Sequence, residues 1–298
     1  MNRSRIHQVL YDAFLSERIK QKGERWIVFA SIISFLIHVV LILLVDVGIL
    51  EVKGSPPLLK DPIAAIYTPF SFILIYEVYL LVYHIPKSTS YYIIKQYEII
   101  TLIVIRALFK DLSLLDFSAN WFQDRGDLQF TYDLITTLIL FFLIYQFHKL
   151  NRKKFTTDKA PVSSEVQKLI SRKEIMAIVL VPVFLLMASY SLGVWVLDGL
   201  ANTSSESTFT IDINNIFFDE FFTVLILTDV LLLLISLFHT DRFSSVIRNS
   251  GFIVSTILLR LSFSSEGLLR NALIITAVLF GVLILLIYNQ YQKLSDHS

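Results

Sequence analysis

The stretch Ile93-Ile-Lys-Gln-Tyr-Glu-Ile-Ile-Thr-Leu-Ile-Val-Ile-Arg106 is apolar over most of its length, yet it carries Lys95, Glu98 and Arg106. At ~100° per residue these three charges, with Lys110 beyond them, fall on one helical stripe. Tyr91 lies beside that stripe, and Ile100, Val104 and Leu108 occupy the opposite face. Such a helix suits a bilayer, with lipid or packed neighbours on one side and polar groups turned toward the protein on the other.

The rest of the chain agrees. Of its 298 residues 55% are hydrophobic and 17% charged, against roughly 25% charged in soluble domains. Eight apolar segments stand out, at about 26–45, 62–85, 91–109, 129–148, 174–197, 217–238, 246–263 and 268–289. Most are long enough to cross ~30 Å of hydrocarbon at ~1.5 Å per residue. The seventh is short and holds Arg260, so it reads as a tilted span or a re-entrant segment. The expected fold is an all-α polytopic membrane protein with about eight transmembrane helices.

Lys and Arg set the orientation. With the N-terminus inside, 18 of them fall on the cytoplasmic side, eight between Lys149 and Lys173 alone. Five fall outside: Lys53, Lys60, Lys110, Arg125 and Arg270. The loop from Asp198 to Ile216 has none, as an outer loop should. Both termini are therefore expected in the cytoplasm, with the protein in a cell (plasma) membrane.

Ile93–Arg106 also has a counterpart. Val246-Ile-Arg-Asn-Ser-Gly-Phe-Ile-Val-Ser-Thr-Ile-Leu-Leu-Arg260 matches it with one gap. Upstream, Asp46 and Glu77 are 31 residues apart, as are Asp198 and Asp229. Four spans per half is an even number, which predicts two tandem, parallel four-helix repeats related by an axis along the membrane normal. The expected organisation is a cytoplasmic amphipathic segment 1–25, repeat one at 26–149, a basic linker 150–173, repeat two at 174–290 and a tail 291–298. Similar composition of apolar helices is the plain alternative, but charges are scarce here and their positions match. Four-helix units with an acid on the second helix resemble voltage-sensor domains, but no helix carries Arg or Lys at every third residue, so nothing is taken from that resemblance.

A charge at the bilayer centre costs ~2.5–3.5 kcal/mol on insertion scales, so each needs a reason. Counting depth from the inner ends predicts a cluster of Glu77, Lys95 and Glu98, with His84 on the Glu77 face, and an outer pair of Arg106 with Asp133. Repeat two offers Asp229 with Arg248, and Arg260 with Asp219 or Glu220; it has Gly251 in place of Glu98 and Ser236 in place of His84. These ion- or solute-pathway candidates suit a transport-class protein, a channel or carrier. The same residues also suit a non-transporting scaffold, in which ion pairs lock packing and a protein partner binds at 149–173 or the N-terminal helix. An intramembrane lipid-acting enzyme is the third class, and headgroup binding by the basic members is a further use for them.

Zero Cys excludes disulfides and thiolate chemistry. Glycine-rich phosphate loops, zinc-protease helices and nucleophile elbows are missing too. The six His are dispersed, so no metal or other cofactor is implied, and a net charge of +1 gives no reason to expect nucleic acid. Besides the bilayer, the expected ligand is a small ion or solute, and self-association stays open. His38, mid-way along the first span, reads as an interhelical contact.

Overall fold

A computed structural model describes residues 2–50, 65, 67–112, 125–152, 164–201, 213–237, 243–265 and 267–295. Lys53, Lys60, Trp121, Arg242 and most of the basic linker lie outside the described residues, as do the side chains of Lys110, Asp198 and Asp219. What is described is helical almost throughout: α1 (Asn2–Phe14), α2 (Glu17–Asp46), α3 (Tyr67–His84), α4 (Thr89–Leu112), α5 (Arg125–Arg152), α6 (Ser164–Ala201), α7 (Ile213–Leu237), α8 (Phe243–Leu261) and α9 (Gly267–Ser295).

Among the described residues, five helical stretches are long and apolar enough to cross a membrane: Gln8–Asp46, Asp127–Arg152, Glu220–Leu237, Phe243–Ser264 and Gly267–Leu294. The seventh apolar segment is one of them. Its helix continues through a 3-10 turn at Ser262–Ser264, which adds the length that its apolar core lacks.

The distribution of side chains is inverted relative to a water-soluble protein. Phe29, Ile32, Leu36, Ile37, Leu138, Phe142, Leu186 and Leu227 face outward, while Arg260, Asp229, Asp133, Gln96 and Thr256 are buried. Water would penalise so large an apolar exterior, whereas hydrocarbon would not.

Contacts sort the chain into two compact units. The first takes Met1–Tyr83, Ile105–Ala119 and Ala177–Phe221. Here Ser16 caps α2, its hydroxyl accepting from the Ile19 amide at 3.4 Å, so α1 and α2 are separate helices. Three tyrosines on one face of α3 hold that junction. Tyr79 donates to the Phe14 carbonyl at 2.9 Å, Tyr76 to the Lys20 carbonyl at 3.0 Å and Tyr83 to the Glu17 carboxylate at 2.6 Å. His38 bonds Thr68 of α3, the interhelical contact expected of it. α2 ends at Asp46, and Gly48, with a φ of +77°, lets the chain turn while its amide and that of Val47 bond back into the last turn.

The second unit takes His84–Val104, Asn120–Met176 and Phe222–Ser298. α8 and α9 approach closely because Gly251 has no side chain: a Cβ there would stand 2.7 Å from Ile284. Tyr97 reaches between them, bonded to Ser255 at 2.6 Å, and Ser255 donates to the Ala277 carbonyl at 2.6 Å. Phe147 of α5 packs edge-on to the Tyr97 ring and against Phe252.

Candidate functional site

The second unit holds the most deeply buried charges. α7 and α8 run antiparallel, with Asn249 bonded to Ser236 at 2.7 Å and, seven residues along each helix, Thr256 bonded to Asp229 at 3.2 Å. Asp229 also accepts from the Tyr92 hydroxyl at 2.9 Å, and its Oδ2 lies 2.8 Å from Nη1 of Arg260. Each side chain of the ion pair is 1% exposed.

Arg260, not Arg248, is therefore the partner of Asp229; of the two acids expected beside Arg260, Glu220 is exposed and the Asp219 side chain lies outside the described residues. The reason lies in the lean of helical side chains toward the N-terminus of their own helix. Arg260 sits one turn past Thr256 and leans back to its level, whereas Arg248 leans away from Asp229. The contact is ionic rather than a directed hydrogen bond, because neither Nη1 nor Nη2 of Arg260 is aligned for donation. Gln96, one turn from Tyr92 on α4, is wholly buried and approaches the tyrosine hydroxyl, but neither atom of its amide completes a hydrogen bond. The centre thus has an acid supplied with donors, beside an amide and a guanidinium with hydrogen-bonding capacity left over.

The first unit has a counterpart. Glu77 on α3 and Arg106 on α4 are both buried, and the Arg106 guanidinium is the charge that acts on Glu77. Glu77 and Asp229 are thus each acted on by an arginine, Asp229 by the direct contact of Arg260 and Glu77 by the Arg106 charge.

Asp133 forms another centre in the second unit, again with partners other than those expected. It accepts from Asn271 at 2.6 Å and Gln129 at 2.7 Å on Oδ1, and from Arg270 at 2.6 Å on Oδ2. Arg270, which the sequence assigns to an outer loop, stands in the first turn of α9 and takes the role expected of Arg106.

The expected cluster around Lys95 and Glu98 forms with a different third member. Lys95 bonds Glu98 at 2.6 Å, and His148 of α5 meets the other carboxylate oxygen at 2.8 Å. All three are partly exposed. His84 is buried with its ring edge toward Tyr91. Arg248 stacks on Tyr288, its carbon 4.5 Å from the ring centre, and donates to Asn249. His148, Arg270, Asn271, Tyr92 and Thr256 escape sequence reasoning. Of these only His148 left a signal, beside the basic end of its helix.

Among the described residues no three His, Asp or Glu side chains converge as metal ligands.

The chain matches no family model, no curated protein and no solved structure.

Proposed function

We propose that this is a transport-class membrane protein that moves an ion or small solute past buried, paired charges. In this reading it spans the membrane eight times as two tandem parallel repeats, with both termini in the cytoplasm of a plasma membrane. The observation that carries it is the Asp229 centre: a carboxylate and a guanidinium in the protein interior, flanked by the uncommitted Gln96 amide. Intramembrane ionisable groups are costly and mark ion or proton pathways by default. An amide without partners is costly as well, and a passing ion, solute or water would bond it. The Arg106 charge acts on buried Glu77, and Arg260 pairs directly with Asp229, at positions that match in the sequence, which supports the repeat.

The scaffold reading has its own support in Asp133, whose three donors match a lock between α5 and α9. Gln96→Leu separates the two. If the centre is only a lock, the substitution removes an unsatisfied polar group and is neutral or stabilising. If it is a pathway, proteoliposomes of the folded variant lose flux that the wild type shows under a proton, cation or anion gradient. Wild-type liposomes silent under every gradient would remove the transport reading. Because the chain has no cysteine, the single substitutions Ser163→Cys and Ser205→Cys test the topology, the first labelled from the inside and the second from the outside.

A further inference from the structure

Among the described residues, two cations of the second unit have no acid paired with them. Lys173 of α6 is buried, 7% exposed, and among the described residues its one hydrogen bond runs to the Lys87 carbonyl at a long 3.4 Å. Arg248 of α8 is half-buried and commits Nε and Nη2 to the neutral Asn249 side chain while its guanidinium carbon lies 4.5 Å from the centre of the Tyr288 ring. Its Nη1 takes no part in these bonds. Arg248 lies near enough for its charge to act on Lys173, and among the described residues no carboxylate pairs with either.

Like charges brought together away from water repel, so an arrangement of this kind favours a bound anion. Lys173 lies just before the fifth apolar segment and Arg248 at the start of the seventh, both at ends that the Lys/Arg distribution assigns to the cytoplasm. Lipid phosphates lie at that depth, and basic pockets between helices there suit headgroups. An arginine held over an aromatic ring and bonded to a neighbouring amide is restrained, and a nearby lysine adds a point charge, a combination that fits phosphate.

We propose that Lys173 and Arg248 form a binding site for a phosphate group, carried by an anionic phospholipid or free in solution. Burial, with Arg248 adding to it, pushes the Lys173 ammonium down to about 8. A bound phosphate opposes that shift, so binding holds at neutral pH and weakens as pH rises past about 8.

The test uses the full-length protein in detergent. Native mass spectrometry counts retained phosphatidic acid against phosphatidylcholine, and thermal unfolding is followed with each lipid and with inorganic phosphate. Phosphatidic acid is expected to be retained and to raise the melting temperature. Lys173→Gln and Arg248→Gln should each weaken this about tenfold or more, whereas Lys149→Gln and Lys293→Gln leave it unchanged. Inorganic phosphate that stabilises the protein and displaces the lipid assigns the site to phosphate in general; a response to phosphatidic acid alone assigns it to the headgroup. A wild type that responds to neither, or glutamine variants that respond as the wild type does, would overturn the proposal. Should both glutamine variants fail to fold, the wild type decides through pH. Binding that falls between about pH 7 and about pH 9 supports the site, and flat or rising binding overturns it, because a phosphomonoester on its own gains charge over that range.

Discussion

Asp229 and Arg260 meet at 2.8 Å with 1% of either side chain exposed. At that burial the Coulomb attraction is strong, but so is the cost of stripping water from both ions. The pair is held in place by Tyr92 and Thr256 on the carboxylate. Its contribution to stability therefore differs from the cost of breaking it.

Asp229→Asn strands the guanidinium and should destabilise the protein by about 3–5 kcal/mol. Arg260→Met strands the carboxylate and should cost a similar amount. The double variant Asp229→Leu/Arg260→Met leaves no charge behind and should recover most of the loss. Unfolding titrations in detergent would measure all three. Additive losses would show that the two side chains do not act as a pair.

Glu98 gives the contrast. Its partners Lys95 and His148 lie at 2.6 and 2.8 Å, as close as those of Asp229, but all three side chains are between 28% and 43% exposed. Solvent screens such pairs to ~1 kcal/mol or less. Glu98→Gln should therefore barely change the same titration, and a loss comparable to that of Asp229→Asn would mean that the cluster is far drier than its exposure indicates.

This contrast also marks how far the sequence reaches. Apolar runs place the helices because hydrocarbon demands ~20 such residues wherever the chain crosses. The stripe of Lys95, Glu98 and Arg106 is legible for a similar reason, since helical spacing fixes which side chains share a face. Partners are another matter. Spacing is silent on register between helices, and depth counted along each helix places Asp229 beside Arg248. The α7–α8 register and the backward lean of Arg260 reverse that choice. Gly251 makes the same point. In the sequence it is only a missing match for Glu98, and its cause, an Ile284 side chain 2.7 Å from where a Cβ would stand, belongs to a helix far along the chain.

The N-terminal junction yields a pH dependence. Tyr83 donates to Glu17 at 2.6 Å and holds that carboxyl below its usual range, with Lys20 helping. A folded-state value below the unfolded one means that the bond's stabilisation is present above the ordinary glutamate range and is lost as pH falls through the lowered value. Tyr83→Phe should move the Glu17 titration upward, read by carboxyl-carbon NMR of glutamate-labelled protein. A titration identical to the wild type would show that the hydroxyl does not reach Glu17.

Gly281 faces Tyr97 so closely that an added Cβ would overlap the tyrosine hydroxyl and stand 3.1 Å from the Ser255 hydroxyl. Ser255 spends its one proton on the Ala277 carbonyl, so Tyr97 must be the donor in their 2.6 Å bond. Gly281→Ala therefore forces the ring off that bond, and overpacking of this kind costs about 1–3 kcal/mol. Tyr97→Phe by itself loses one hydrogen bond, ~0.5–1.5 kcal/mol, and leaves Ser255 bonded to Ala277. In the Tyr97→Phe background the overlapping atom is gone, so Gly281→Ala should become cheaper there than in the wild type. A double-mutant cycle in detergent unfolding measures that coupling. Zero coupling would mean that Tyr97 does not pass over Gly281, and the close approach of α4 to α9 would have to be abandoned with it.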